Sequence, residues 1–315
     1  MANVYDAAGN MIHTVYSIDG TRALAYYDIN GNLLKSHAVS NTFTKKQMTT
    51  PPLNTGTQGF ACDSVTQSIA QFYTEHIYMI DLAEVTVTHI AQINLGHGNT
   101  GQFAPTKAQS QSYPYLYVSG SAQTVNGTLY AYLLEFNCTT SSATLNKIYA
   151  VPITTGLTGT SQVCIDFDNR IIYHVTASTY YGDADYTHIN AWSMDDAVIL
   201  SGATYNPAPT EGIYALTNQL SAFSVPFIKE MQACTFFDGM VVAISDVSSG
   251  KKVYFTDVET ESTYMVIQNN LPTGELEGIG FLLNEETEQY DMVISDREGS
   301  GDYSTVFYRY EFDLS

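Results

Sequence analysis

An all-β fold is predicted by three observations on this sequence of 315 residues. Short apolar runs rich in Tyr, Val and Ile recur along the chain, and turn residues separate them. No segment keeps a helical apolar period over about ten residues, as an amphipathic helix would. Aromatic residues make up 12% of the chain and charged residues only 14%, a composition that suits pleated sheets around a core.

Residues 1–50 contain a small repeat, since VYDAAGNMI at 4–12 resembles YYDINGNLL at 26–34. Asp and Gly-Asn between apolar runs favour tight turns, because Gly and Asn tolerate a positive φ. The sequence therefore predicts two β-hairpins, followed by a linker or extended arm at 40–57 that contains a Pro pair. We expect a hairpin attachment region and arm at 1–50 and a second domain at 51–315.

Five related stretches organise the second domain. They read TQGFACDS at 57–64, TGQFAP at 100–105, TSQVCIDF at 160–167, EMQACTFF at 230–237 and LEGIGFLL at 276–283. Each stretch opens a group of short strands, and repeating units of about forty to fifty residues with four strands are typical of β-propeller blades. The sequence therefore predicts a roughly five-bladed β-propeller whose first strands line a central channel. The longer spacings leave room for inserted loops at 178–188 and 205–220.

Each stretch begins with a polar amide or acid ahead of small and apolar residues. These polar residues are Gln58, Gln102, Gln162, Gln232 and Glu277. A buried amide needs hydrogen-bond partners and can both donate and accept. The favoured interpretation is that the Gln side chains satisfy backbone groups between blades, and the alternative is that they ring a channel mouth and bind a ligand.

The charge and the cysteines limit the possible functions. A net charge of −20 lacks the basic footprint of a nucleic-acid binder and disfavours an anionic membrane surface. No apolar run approaches the length of a membrane helix, and the N-terminus MANVYDAAGN does not resemble a signal peptide. The four cysteines form no CxxC pair, so we expect buried thiols and no zinc site.

One block resembles a known family. The Gln-Gly-Phe at 58–60 and the Gly-His-Gly at 96–98, followed by Gln102, resemble the propeller domain of tailed-phage receptor-binding proteins and helveticin-type bacteriocins. As architecture, the resemblance covers roughly residues 55–315. It implies a multimeric part of a phage tail tip that binds cell-wall glycopolymers, with the His97 loop at a channel mouth. The long N-terminal stem usual in phage fibres is missing, so residues 1–50 would provide the attachment to the tail.

Two further segments contain candidate ligand-binding residues. Glycines on both sides of His97 allow a ligand to approach closely, although a histidine that only bridges two blades is the plainer interpretation. The segment STYYGDADYTHINAW at 178–192 combines Tyr180, Tyr181 and Trp192 with Asp183, a mixture that suits a sugar ring or a protein surface. A solvated loop whose tyrosines cover the edge of a blade is the plainer interpretation. Asp183 and its neighbour Asp185 are the one candidate pair for calcium, and no other metal, cofactor or catalytic residue is predicted.

Carboxylates offer an enzymatic alternative. Asp63, Asp166, Asp168 and Asp238 follow the repeated stretches. Glycoside hydrolases use a pair of carboxyl groups, but Asp at a turn more often caps backbone amides. We therefore expect a virion tail component, made in the host cytoplasm, present in several copies, that binds a host surface glycan or a partner tail protein. A glycan-degrading enzyme is the first alternative, and a purely structural tail or baseplate propeller is the second.

Overall fold

The computed structural model describes most of the chain after residue 42 and four strands before it. Its described ranges are 4–5, 11–16, 22–27, 33–38, 43–50, 58–96, 100–153, 161–177, 186–226, 228, 230–246, 250–267, 270–298 and 304–312. Strands, turns and irregular segments make up these ranges, and within them no helix is long and apolar enough to cross a bilayer.

The first four strands form one antiparallel sheet. They are β1 (Val4–Tyr5), β2 (Met11–Tyr16), β3 (Arg22–Tyr27) and β4 (Leu33–Ala38), hydrogen-bonded in that order. Val4 pairs with Ile12 in the first hairpin, and Ala23 pairs with Ala38 in the second. Both predicted hairpins are confirmed, and pairing of β2 with β3 joins them into a meander.

The remaining strands, starting with β5 (Phe43–Gln47), form five sheets that we name blades 1 to 5. Blade 1 contains β6 (Gly59–Asp63), β7 (Ser68–Tyr73), β8 (His76–Asp81) and β9 (Thr86–Gln92). Blade 2 begins with β10 (Gly101–Phe103), β11 (Leu116–Val125), β12 (Thr128–Cys138) and β13 (Ala143–Pro152). Blade 3 begins with β14 (Ser161–Asp166), β15 (Ile171–Ala177) and β16 (Tyr186–Ser193).

After β16 the chain forms β17 (Ala197–Ile199), β18 (Gly212–Leu216) and β19 (Gln219–Pro226). Strand β19 is the fourth strand of blade 3. Blade 4 contains β20 (Met231–Phe237), β21 (Met240–Ser245), β22 (Lys252–Asp257) and β23 (Ser262–Ile267). Blade 5 contains β24 (Glu275–Asn284), β25 (Gln289–Glu298) and β26 (Ser304–Phe312), with β5 as its fourth strand.

The buried apolar side chains show that the blades close into a ring. Among the described residues they form five clusters, and each cluster joins two neighbouring blades: 1 with 2, 2 with 3, 3 with 4, 4 with 5, and 5 with 1. The last seam packs Phe60 of β6 edge-on against Phe307 of β26. The chain is therefore an all-β protein with a five-bladed β-propeller, as the sequence predicts.

The five repeated stretches are the innermost strands β6, β10, β14, β20 and β24, which pack against one another around the channel. Small residues are required there because the strands approach closely. A Cβ added at Gly101 would lie 2.3 Å from the Phe72 ring, and one added at Gly278 would lie 2.5 Å from Phe60. The repeat is therefore a packing signature of the propeller axis.

The predicted loop at 205–220 contains strand structure. β18 pairs in parallel with β13 of blade 2, with Ile148 opposite Ile213, and β17 pairs with β18. Strands β17 and β18, which follow the third strand of blade 3 in the sequence, thus extend the sheet of blade 2 to six strands. The outer edge of β13 would otherwise carry unpaired backbone groups, and adding β18 satisfies them.

Strand β5 closes the ring. It lies within the segment that the sequence suggested as a linker or arm, and it pairs antiparallel with β26, so that Lys45 lies opposite Tyr310. Met48, just after β5, donates its backbone N–H to the Phe307 carbonyl oxygen over 2.8 Å. The outer strand of blade 5 therefore comes from the region ahead of residue 50, so the propeller begins before residue 51.

Candidate functional site

One mouth of the channel opens into a funnel of about 790 Å³. All five inner strands contribute residues near their C-terminal ends, since these strands run in the same direction along the channel. Its wall combines aromatic and acidic side chains, and its size lies within the range of small-molecule sites. We call this cavity the mouth funnel.

Six aromatic residues line the funnel. They are Phe103, Phe167, Phe236, Phe237, Phe281 and Tyr290. Phe237 stacks on Phe281 with ring centroids 3.9 Å apart, and the Tyr290 ring meets Phe237 edge-on at 5.2 Å. This contact joins blades 4 and 5, and Tyr290 remains 45% exposed.

Four aspartates share the funnel with these rings: Asp63, Asp166, Asp168 and Asp238. Asp63 is buried and accepts hydrogen bonds from the Val65 N–H (2.8 Å) and the Thr66 hydroxyl (2.5 Å). Burial raises the pKa of the Asp63 carboxyl, and its hydrogen bonds to Thr66 and Val65 partly oppose the shift.

The other three aspartates differ in exposure. Asp166 is buried and accepts from the backbone N–H and the side-chain amide of Asn169, at 3.1 and 2.8 Å. Asp168 and Asp238 are exposed. Asp238 and Gly239, with φ of 46° and 77°, form the two-residue turn between β20 and β21. Asp63 and Asp166 thus cap turns, while Asp168 and Asp238 lie at the rim.

Gln102 forms part of the funnel floor. Its Nε2 donates to the carbonyl oxygens of Ile165 (3.1 Å) and Phe236 (3.3 Å), and its Oε1 accepts from the Ile165 N–H at 2.7 Å. One side chain of blade 2 therefore binds the inner strands of blades 3 and 4. This is the backbone-satisfying role that the sequence favours for the Gln residues.

A second layer of hydrogen bonds lies further along the channel. The Thr100 hydroxyl donates to Gln162 Oε1 over 2.5 Å, and Gln162 Nε2 donates to the Gln232 carbonyl oxygen over 3.1 Å. The Cys234 N–H donates to the Thr100 hydroxyl oxygen at 3.3 Å. Blades 2, 3 and 4 are thus joined twice across the axis.

The remaining predicted site residues fall into three groups. Gln58 and Gln232 are half-buried at the starts of their inner strands, at the end of the channel away from the funnel. Trp192 lies in β16 and is 8% exposed, packed in the core between blades 2 and 3. His97, Tyr180, Tyr181 and Asp183 lie outside the described residues, as does Asp185.

Trp192 requires a correction to the expected surface segment at 178–192. Residues from Tyr186 onward form β16, the third strand of blade 3, which is hydrogen-bonded on both sides by β15 and β19. A strand between two others in a blade is covered on both faces by the adjacent blades, which buries Trp192. It therefore does not belong to an exposed ligand-binding loop.

In the fifth repeated stretch, Glu277 takes the place of the Gln found in the other four, and it contacts an arginine. Glu277 is buried, and it accepts a hydrogen bond from Arg297 Nη1 at 3.1 Å. Arg297 also binds the more exposed Glu275 at 3.2 Å. Burial raises the pKa of Glu277 to about 8, with a further contribution from the Glu275 charge, and Arg297 opposes the shift.

Three of the four cysteines are buried, as the sequence predicts, whereas Cys62 is half-buried. All four cysteines are free, and Cys138, Cys164 and Cys234 are buried. Burial raises the pKa of Cys138 to about 12 and that of Cys164 well above its ordinary value, so both remain protonated at neutral pH. Within the described part of the chain, no group of three or more His, Cys, Asp or Glu side chains is placed to hold a metal ion.

Sequence reasoning identified the funnel acids but missed its aromatic wall. Phe236 and Phe237 end the fourth repeated stretch, and Phe281 lies in the fifth, so a signal was present at the same end of each strand. Tyr290 comes from β25, the second strand of blade 5. Only the pairing of Leu283 with Tyr290 across β24 and β25 brings this residue to the mouth.

Comparison with known proteins gives similarities of fold. No protein-family model and no curated protein matches the chain. A Thermus thermophilus protein described as an oxidoreductase (glucose dehydrogenase) aligns at 9% identity and TM-score 0.48, over 85% of this chain and 100% of its own. The tail fibre of Staphylococcus aureus phage P68 aligns at 15% identity and TM-score 0.48, over 87% of this chain and 54% of the fibre.

The PQQ-bound aldose sugar dehydrogenase of Streptomyces coelicolor aligns at 9% identity and TM-score 0.47, over 87% of this chain and 100% of its own. At these identities no activity, cofactor or assembly is transferred, and the chain is similar to these proteins only as a β-propeller.

Proposed function

We propose that the protein binds a host surface glycan in the mouth funnel, as a component of a bacteriophage tail. The observation that supports the binding function is the combination of stacked aromatic rings and exposed carboxylates around one open cavity. Aromatic faces pack against the apolar C–H faces of sugar rings, and carboxylates accept hydrogen bonds from sugar hydroxyls.

The charge of the funnel lining limits the chemical class of ligand that can bind. The funnel lacks cationic side chains among its described residues, and the whole chain has a net charge of −20. Neutral sugars, or sugars with an amino group, avoid the repulsion that an anionic segment would meet. The ligand we propose is therefore an uncharged or amino-bearing part of a surface glycan.

The virion setting is supported by the sequence resemblance at Gln58, Gly59, Phe60, His97, Gly98 and Gln102. In this proposal the N-terminal region attaches the protein to other tail proteins, and several copies are present on one tail. Multiple weak sites then give a high avidity without additional contacts at each site.

Glycan binding is tested with matched tyrosine variants. Tyr290 is 45% exposed at the funnel rim, and Tyr186 is 50% exposed at the start of β16 outside the funnel. On an array of bacterial cell-wall glycans, we expect Tyr290→Ala to weaken binding by roughly two- to tenfold. Tyr186→Ala removes a similar exposed ring and should leave binding unchanged.

The same array distinguishes the structural alternative. Phe237→Ala and the pair Asp168→Asn and Asp238→Asn should also weaken binding. If the native protein binds no glycan and no intact host cell, yet co-purifies with tail proteins, the protein is a structural propeller. Equal losses in the Tyr290 and Tyr186 variants would also contradict the funnel as the binding site.

A glycan-degrading enzyme is the second candidate, because Asp63 and Asp166 line the same cavity. Burial raises the pKa of Asp63, as a general acid requires. However, both carboxylates already accept hydrogen bonds from their own turns. Release of reducing ends from host polysaccharide by the native protein, lost in Asp63→Asn and in Asp166→Asn, would support hydrolysis.

A further inference from the structure

Two histidines on the outer hairpin of blade 1 lie in direct contact. His76 begins β8 and His89 lies in β9, and their Nδ1 and Nε2 atoms are 3.1 Å apart. A shift in the pairing register between Ile77 and Tyr78 places Tyr78 opposite His89 and His76 opposite Gln92. Register shifts of this kind change the direction in which side chains point.

The pair is held in place but open to solvent. The Tyr78 ring centroid lies 5.1 Å from that of His89 and 6.0 Å from that of His76. His76 and Tyr78 are half-buried, whereas His89 is exposed. The tyrosine therefore limits the ring orientations of both histidines, and an ion from solvent has access through His89.

The distance between the two nitrogens suits a shared metal ion. In the neutral pair one imidazole donates its N–H to the other, so a single proton lies between the nitrogens. Two imidazoles bound to tetrahedral zinc at about 2.0–2.1 Å hold their nitrogens roughly 3.4 Å apart. Replacing the shared proton by a metal ion thus requires the two nitrogens to separate by a few tenths of an ångström and each ring to turn until its nitrogen lone pair points at the ion.

We propose that His76 and His89 form a surface site for a divalent transition metal ion, independent of the mouth funnel. Imidazole nitrogens suit Zn²⁺, Ni²⁺ and Cu²⁺. No third His, Cys or carboxylate joins the pair in the described part of the chain, so water completes the coordination. With two protein ligands, the site binds these ions reversibly.

The site is tested by titrating the full chain with Zn²⁺ in a calorimeter at pH 7.5. We expect one site whose affinity falls at least about tenfold in His76→Ala and in His89→Ala. His188→Ala is the matched control, because His188 is also half-buried on a strand but contacts a serine hydroxyl, Ser224, at 2.8 Å. This control should keep the native affinity.

A measurement on the native chain tests the site without relying on variants, which lose zinc binding if they do not fold. In imidazole ¹⁵N spectra, Zn²⁺ should shift the resonances of two histidines together. Zinc affinity that is unchanged in both alanine variants, an equal loss in the His188 control, or no zinc binding by the native chain would overturn the proposal.

Discussion

At the residue scale, single amides in the inner strands carry much of the connection between blades. Gln102 makes three hydrogen bonds to the backbone of blades 3 and 4. The strands within a blade pair with one another, so bonds between blades at the axis depend on side chains such as this one.

Replacing Gln102 by Ala tests this role. The change leaves the Ile165 N–H and the Phe236 carbonyl oxygen without this partner, and we expect the free energy of unfolding to fall by about 1–3 kcal/mol. Chemical denaturation measures the change. Gln92→Ala, at an exposed position of β9, is the control and should have little effect. Equal stability of the two variants would contradict an inter-blade role for Gln102.

Glu277 predicts a dependence of stability on pH. Its pKa is raised by burial from 4.5 to about 8, so the folded chain binds more protons at this site than the unfolded chain between these values. The stability that the neutral side chain contributes is fully present below pH 4.5 and is lost as the pH rises through about 8. Glu277→Gln replaces the titratable carboxyl group by a neutral amide, and Arg297 keeps its contact with Glu275.

Thermal melts of the native protein and Glu277→Gln between pH 5 and pH 9 check this prediction. The variant should gain melting temperature relative to the native protein as the pH rises. Glu84→Gln, at an exposed turn position, should follow the native curve. Parallel curves for the native protein and Glu277→Gln would contradict a raised pKa.

At the scale of elements, blade 5 depends on a strand from the far end of the chain. β5 contributes the pairing with β26, an ion pair of 2.7 Å between Lys46 and Glu311, and the Lys45 ammonium 4.2 Å above the Tyr308 ring. The ion pair is exposed and contributes little. The ladder of backbone hydrogen bonds and the covered edge of β26 are therefore the main contributions of β5.

Two truncated chains isolate that contribution. One begins at residue 43 and keeps β5, and the other begins at residue 51 and lacks it. We expect the shorter chain to melt at a lower temperature and to aggregate more readily, because β26 then presents an unpaired edge. Calorimetry and light scattering measure both effects. Equal melting temperatures would show that β5 adds nothing to ring stability.

The sequence predicts those parts of the fold that depend on patterns within short stretches of the chain. The five inner strands repeat small residues behind a polar residue, and that pattern marks crowding at one axis. The pairing of β5 with β26, the transfer of β17 and β18 to blade 2 and the position of Tyr290 each join segments that share no local pattern. The inner-strand phenylalanines of the funnel lie in the repeated stretches, whereas the position of Tyr290 follows only from the pairing of β24 with β25.

At the scale of the whole molecule, the acidic charge sets the conditions for binding. With 32 acidic and 12 basic residues, the chain repels anionic wall polymers unless cations screen or bridge the charges. The aspartates of the funnel add to this repulsion of anionic polymers. Binding of neutral sugars involves no such repulsion.

Surface binding at different salt and cation conditions tests this expectation. A neutral glycan should bind with an affinity that changes little between low and physiological salt. An anionic wall polymer should bind only when calcium is added, and a chelator should release it. Strong calcium-independent binding of the anionic polymer at low salt would contradict the charge argument.

The seam between β5 and β26 also affects how the protein is made. Residues 43–47 are synthesised before blades 1 to 4, whereas their partner at 304–312 is synthesised after them. Blades 1 to 4 are complete in the nascent polypeptide well before this pairing is available. The ring of blades therefore closes only after β26 has been synthesised, and until then β5 lacks this partner strand.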